Sequence, residues 1–233
     1  MSNDKLRNRL ILAGKVLAAE GQGDFTRGHI SVRLPDKPAQ FLMKAHGIGL
    51  DEISPKTILT INLDGKVLAG TAPRHSEVFI HSEIFKARRD VNCVIHTHPA
   101  YAVALSSSGQ PIKAYSQPGA LFYGALGVYT DSIALIRSPE MGAGVAKALG
   151  PHRAVLLKSH GVAVAGATIE EAVVSAIMLE NAAMVQMTVA AGGVSAPEFR
   201  EADIETLKQQ LSKPEQFQIN FDYLARRLRK AKT

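Results

Sequence analysis

The sequence predicts one α/β domain across residues 1–233, with an antiparallel or mixed sheet and a helical C-terminal extension from about residue 195. Three observations carry that expectation. Short apolar runs in the first third are separated by hairpin-length turns, which join antiparallel neighbours and are too short for parallel crossovers. Longer stretches with helical spacing follow them. No internal repeat or long Pro/Ser-rich linker divides the chain, and Ser195-Ala196-Pro197 is the one plausible joint.

A first helix is expected from about Ser2 to Glu20, with Leu6, Leu10, Ile11 and Leu17 on or near one face and Gly21 and Gly23 stopping it. Ile30-Ser31-Val32-Arg33-Leu34, Phe41-Leu42-Met43, Ile58-Leu59-Thr60-Ile61 and Val67-Leu68-Ala69 read as strands. Pro35-Asp36, Asp64-Gly65 and Gly70 punctuate them, and Asp64-Gly65 suits a hairpin turn. From Ser76 to Arg89, Val78, Phe79, Ile80, Ile84 and Phe85 form a broad helical stripe. A strand over Val91–Ile95 and a helix near Ala100–Leu105 come next, then several short strands between Lys113 and Ile136. Ser138-Pro139-Glu140 opens a helix that ends at Gly150. After a strand at Val155–Leu157, Thr168-Ile169-Glu170-Glu171 marks the start of a helix that runs to about Ala191, where Gly192-Gly193 ends it.

Composition narrows the class. Apolar residues make up 46% and charged residues 21%, which is ordinary for a globular chain. No apolar run reaches about 18 residues, so no membrane span is expected. The start, Met1-Ser2-Asn3-Asp4-Lys5, has no apolar signal core behind it, and the single Cys93 cannot form an internal disulfide. A cytoplasmic protein is the expectation, with Cys93 serving strand packing. The net charge of +6 owes much to the tail Leu224–Lys232. That tail lacks aromatic interleaving and any nucleic-acid motif, so it reads as a solvated helix end rather than a nucleic-acid surface. A mildly positive molecule suits a small anionic substrate.

The chemistry concentrates in His96-Thr97-His98, at the end of the apolar run Val91–Ile95. Residues two apart on a strand share a face, so both imidazoles project together and Thr97 faces away. Such a pair can hold a borderline divalent metal. His160, in Leu157-Lys158-Ser159-His160-Gly161, and His75 and Glu77, in Arg74-His75-Ser76-Glu77, are candidates to complete the set. Imidazole nitrogens with one carboxylate favour zinc or manganese over copper(I) or calcium. Spacing alone does not bring Glu77 and His160 to that pair.

Ser76-Glu77, His96-x-His98, His160-Gly161 and Thr168-Ile169-Glu170-Glu171-Ala172 together resemble, in order and spacing, the class II aldolase/adducin family. The resemblance covers about residues 6–193. It implies a three-layer α/β/α fold with a largely antiparallel central sheet, and a homotetramer with active sites at subunit boundaries. It makes His96, His98 and His160 the ligands of a divalent metal (Mn or Zn), with Glu77 a fourth ligand or proton-transfer group. It also implies a tyrosine proton donor shortly after the H-x-H strand, for which Tyr115 is the candidate and Tyr123 and Tyr129 are competitors.

Departures from the family pattern bear on the substrate. Sugar-phosphate aldolases of the family carry a G-N-x-S loop, a later S-G pair and S-S before the acidic residue, which grip a phosphate. This chain has Gly28-His29-Ile30-Ser31, Ala45-His46-Gly47 and His75-Ser76 instead. With Arg27 and Arg74 nearby, His29, His46, Gly47 and Ser76 are expected to line a site for a flat, multiply anionic molecule, since arginine pairs with carboxylates in bidentate fashion. The chain thus resembles the branch of the family that decarboxylates dihydroxyphthalates and hydroxypyridine dicarboxylates, an activity of aromatic catabolism. That branch implies a metal-stabilised enolate, with His75 or Glu77 managing the proton. An aldolase or epimerase acting on a hydroxy-carbonyl or sugar phosphate is the alternative reading. A non-catalytic adducin-like binding module is the third, disfavoured by the complete set of ligand residues.

Overall fold

A computed structural model describes residues 3–230. The expected helix start at Ser2 and the tail end Ala231-Lys232 lie outside the described residues. Strands β1 (His29–Leu34), β2 (Lys37–Lys44), β3 (Ile58–Asn62) and β4 (Val67–Ala69) form an antiparallel meander. β5 (Cys93–Thr97) pairs antiparallel with β1, and β8 (Gly161–Gly166) with β5. β7 (Ala154–Leu157) lies antiparallel beside β8, and β6 (Gly127–Tyr129) is parallel to β7. The spatial order is β4-β3-β2-β1-β5-β8-β7-β6, which puts β1, β5 and β8 at the centre.

Helices cover both faces. α1 (Asn3–Ala19), α3 (Ala100–Ser108), α4 (Gln117–Phe122), α6 (Ile169–Ala191) and α8 (Pro214–Lys230) bury side chains in one core with Ile30, Val32, Cys93 and Ile95. α2 (Val78–Ala87) and α5 (Pro139–Leu149) bury theirs in a second core with Phe41, Met43, Val94 and Val155. The alternation of Cys93, Val94 and Ile95 between the two cores is the period of a pleated strand. The fold is therefore the expected α/β/α arrangement with a largely antiparallel sheet. Cys93 is buried and its thiol is pushed well up by that burial, which suits packing.

The C-terminal extension is α7 (Glu201–Leu211) followed by α8. Phe217, Phe221 and Ala225 of α8 enter the first core. α6 has the length and hydropathy to cross a bilayer. In this fold its apolar residues, among them Val173, Ala176 and Leu179, pack into the core instead.

Local signals explain most boundaries. Asp64-Gly65 makes the β3–β4 turn, with Gly65 at φ 77° and the Asn62 side chain accepting from the amides of Asp64 and Lys66. Ser138 caps α5 and Thr168 caps α6, each accepting from the amide three residues on. Two expectations are corrected. The region from Lys113 to Ile136 holds the short helix α4 and one three-residue strand, not several strands. Ser116 accepts from the Gly119 amide, with Pro118 in the first turn, and this starts a helix where apolar residues suggested strands. Conversely Gly161–Gly166 is a central strand; its glycines and alanines have low strand propensity, and burial on both faces outweighs that.

Candidate metal centre and its cleft

Because Ile30, Val32 and Leu34 face the first core, the alternation turns His29, Ser31 and Arg33 toward α2. His29 lies directly opposite His96 in the β1–β5 register, so His96 joins it on that face. Thr97 faces the other way, where its hydroxyl donates to Gln22 Oε1 at 2.9 Å. The tight β7–β8 connection swings His160 back beside His98; Ser159 makes this turn with φ 54°, and the two rings stack at 11° and 5.3 Å. Of eight histidines, all except His152 join one cluster, with neighbouring ring centroids from 4.4 to 5.3 Å apart.

His96, His98 and His160 offer three nitrogens within 4.8 Å of one another. His96 Nε2 and His98 Nε2 are 3.1 Å apart, and the Glu77 carboxylate approaches His160 Nε2 at 3.5 Å and His96 Nε2 at 3.9 Å. Glu77 itself precedes α2 and accepts the Ile136 amide at 2.9 Å, which holds its orientation.

Proton positions follow from the acceptors these rings face. His96 Nδ1 lies 2.9 Å from the Val162 carbonyl, so it carries the proton and Nε2 is a lone pair. His98 Nδ1 approaches Asp24 Oδ2 at 3.1 Å, an off-axis contact that still places the proton on Nδ1. Burial, then neighbouring histidines, hold His96 well below the usual imidazole range and His98 at about 4, so both rings are neutral. Two lone pairs thus face each other beside a carboxylate, and both nitrogens of His160 are buried without a hydrogen-bond partner. A tetrahedral ion with bonds of about 2.0–2.2 Å separates its ligand atoms by roughly 3.3–3.6 Å. The donor set and its spacing therefore fit a divalent cation, and the Asp24 and Val162 contacts are the outer partners that orient such ligands.

In front of this group lies a cleft of about 510 Å3. Its polar lining includes Arg27, His46, His75, Ser76, Glu77 and Arg137, and its apolar wall is Ala100, Val103, Ile133 and Leu135. Arg27 is tied to Asp24 at 2.8 Å, whereas exposed Arg137 has no hydrogen-bond or ion-pair partner among the described residues.

The expected site residues separate into four groups. Glu77, His96, His98 and His160 converge, and Arg27, His46, His75 and Ser76 line the cleft. Arg74, Gly47 and Tyr115 do not line it. Arg74 turns back to donate to the His75 carbonyl at 2.9 Å and covers Phe79. Gly47 supplies a turn at φ 82° after β2, and Tyr115 is half-buried just ahead of α4. His29 is wholly buried behind His75 and His96. Sequence reasoning missed Asp24, Arg137, Lys44 and His81. A histidine inside the apolar stripe of α2 was a readable signal for His81; the others carried none.

Buried Lys44 donates to the carbonyls of Thr26 and Ala45 and to His75 Nε2 at 3.1 Å. Burial lowers the Lys44 ammonium to about 8, and burial with the Lys44 charge lowers His75 to about 3. His75 is therefore a neutral acceptor with its outer nitrogen already engaged.

The sequence profile of the Class II Aldolase and Adducin N-terminal domain matches residues 8–187. The chain belongs to this class II aldolase/adducin family. One relative is the meiotically up-regulated gene 14 protein of Schizosaccharomyces pombe, 30% identical, with 78% of this chain and 72% of that protein aligned. Another is the 3,4-dihydroxyphthalate decarboxylase of Arthrobacter keyseri, 30% identical over 86% of this chain and 85% of its own. Among solved members of the class II aldolase fold, the L-fuculose 1-phosphate aldolase from Glaciozyma antarctica superposes with a TM-score of 0.85 at 27% identity. That superposition covers 95% of this chain and 87% of the aldolase. The family assignment agrees with the resemblance read from the motifs.

Proposed function

We propose that this member of the class II aldolase/adducin family is a metal-dependent carbon–carbon lyase that decarboxylates a hydroxylated aromatic or pyridine dicarboxylate. The observation that carries the reading is the cleft itself: positions 29 and 75 hold histidines pinned by His81 and Lys44, so neither offers the amide or hydroxyl of a phosphate grip. Guanidinium groups of Arg27 and Arg137 stand at the cleft instead. The alignment with a 3,4-dihydroxyphthalate decarboxylase over most of both chains supports the same reading.

His96, His98 and His160 would hold the ion, with Glu77 beside them as the proton-transfer group. A bound divalent cation supplies Lewis acidity, drawing off the negative charge that builds on substrate oxygens as the carbon–carbon bond breaks. Arg27 and Arg137 bind the carboxylate that is retained, each able to pair with both oxygens. Val103, Ile133 and Leu135 give the carboxylate that is lost an apolar wall, which favours departure of neutral carbon dioxide. The bond's electron pair passes to the ring carbon, which must then take a proton. His75, neutral and engaged by Lys44, has none to give at neutral pH, so Glu77 conveys it from solvent.

The competing reading is aldol cleavage, supported by the structural likeness to an L-fuculose 1-phosphate aldolase. A tyrosine donor for that reaction would come from a neighbouring subunit, since Tyr115 stands off the cleft within its own chain. Exposed Ile133 and Leu135 at the cleft wall suit such a subunit boundary. Protein loaded with zinc or manganese is incubated with hydroxyphthalates, hydroxypyridine dicarboxylates and phosphorylated or free hydroxy-ketones. Carbon dioxide release from a diacid, lost in His160→Ala, is the expected result. Aldehyde release from a hydroxy-ketone, with no diacid consumed, replaces the decarboxylase with an aldolase.

A further inference from the structure

His29 and Ser31 meet His81 of α2 behind the metal centre. Ser31 Oγ and His81 Nδ1 are 2.6 Å apart, as are His81 Nε2 and His29 Nδ1. All three residues are fully buried, and His29 Nε2 has no hydrogen-bond partner. One ring nitrogen of His29 lies within 4.8 Å of a Glu77 carboxylate oxygen and a ring nitrogen of His96, and Nε2 is the one that His81 leaves free.

The direction of this chain decides what His29 can do, and it has two settings. In one, His81 Nδ1 donates to Ser31 and accepts at Nε2 from His29. The Ser31 hydroxyl proton is then sealed between β1 and α2 without an acceptor, since Ser31 Oγ has no second partner among the described residues. A buried donor without an acceptor makes this the costlier setting. His29 Nε2 becomes a third lone pair beside Glu77 and His96. In the other, Ser31 donates to His81 Nδ1, His81 Nε2 donates to His29 Nδ1, and the His29 proton sits on Nε2. Its unpaired donor then faces the one place where an anionic oxygen is at hand. Both rings are fully enclosed with no carboxylate in hydrogen-bond contact, so each is a neutral imidazole with a single proton to place.

We propose that Ser31 and His81 are positioning residues that lock His29 as its Nε2–H tautomer, so that His29 donates a hydrogen bond to an anionic oxygen at the centre and does not ligate the ion. The oxygen belongs to Glu77 or to an entering substrate carboxylate or phenolate. This rests on the metal-centre reading, and holds whether the reaction is a decarboxylation or an aldol cleavage.

Long-range proton–nitrogen correlation spectra of the full chain, with nitrogen-15 histidine and zinc bound, report each imidazole tautomer without any substrate. The expected result is His29 protonated at Nε2. Ser31→Ala should move a large fraction of His29 to the Nδ1–H form, and Ser31→Thr, which restores a hydroxyl, should return it. His81→Gln serves as a second test if Ser31→Ala does not fold, with the same release of the tautomer expected. A His29 proton on Nδ1 in the unsubstituted protein overturns the proposal, as does a tautomer indifferent to the substitutions. So does His29→Ala lowering the zinc bound per chain as His98→Ala would. Failure to release carbon dioxide from any diacid bears on the proposed function alone.

Discussion

Gly161 and His98 are packed so closely that a Cβ on Gly161 would meet the His98 ring Cδ2 at 2.6 Å. The same atom would meet the Thr97 carbonyl oxygen at 2.6 Å, and that oxygen is backbone and cannot swing aside. The missing side chain is what lets the His160 turn close over the His98 ring. Gly161→Ala is expected to cost about 1–3 kcal/mol in urea unfolding and to weaken metal binding together with it. Unchanged metal affinity would show that the His98 ring does not depend on this contact.

Asp24 meets the candidate ligands at His98, whose Nδ1 lies 3.1 Å from Asp24 Oδ2. Asp24→Asn keeps the shape and removes the charge that holds the His98 proton on Nδ1. Loss of such an outer partner weakens metal affinity by about 10–100-fold. Competition with a chelator of known strength measures this directly, and a ratio near one contradicts the assignment.

Arg137 is the cleft guanidinium without a hydrogen-bond or ion-pair partner among the described residues, and Arg74, though nearer the candidate ligands in sequence, is occupied with the His75 carbonyl. Arg137→Ala should raise KM for a diacid by about 10–100-fold, the equivalent of one lost charged hydrogen bond of roughly 1.5–3 kcal/mol, with kcat less affected. Arg74→Ala should leave KM nearly unchanged. The reverse ranking would relocate the carboxylate grip.

The buried histidines make stability depend on pH in a defined direction. His75 and His81 are each held at about 3 by burial, against 6.5 for an unperturbed imidazole. Between those values the unfolded chain binds protons that the folded chain refuses. Stability is therefore full above about pH 6.5 and falls as pH drops toward 3, by up to about 1.4 kcal/mol per unit for each group. Urea titrations of metal-free protein at pH 7.5, 6 and 5 should show that loss, and His81→Gln should shallow the slope. An unfolding free energy that stays level across this range would mean that these rings take up protons in the folded state.

Much of this architecture was legible before folding. Caps and stops such as Thr168, Ser138 and Gly150 act on their own neighbours in the chain, so α5 and α6 end where the sequence says. The shared face of His96 and His98 was equally plain, because it follows from strand geometry. Failures came where burial outweighed propensity, as in the Gly/Ala strand β8, or where a single cap redirected an apolar stretch, as Ser116 does for α4.

What the sequence determined by itself is the set of local elements and the types of donor atoms available, since both depend on residues within a few positions of one another. The tertiary structure decided which of those donors meet. It carried Glu77 and His160 to the end of β5, set Asp24 against His98 and left Arg137 in the cleft. Those pairings span from about twenty to more than seventy residues of chain and depend on strand order and helix packing, which no local pattern encodes.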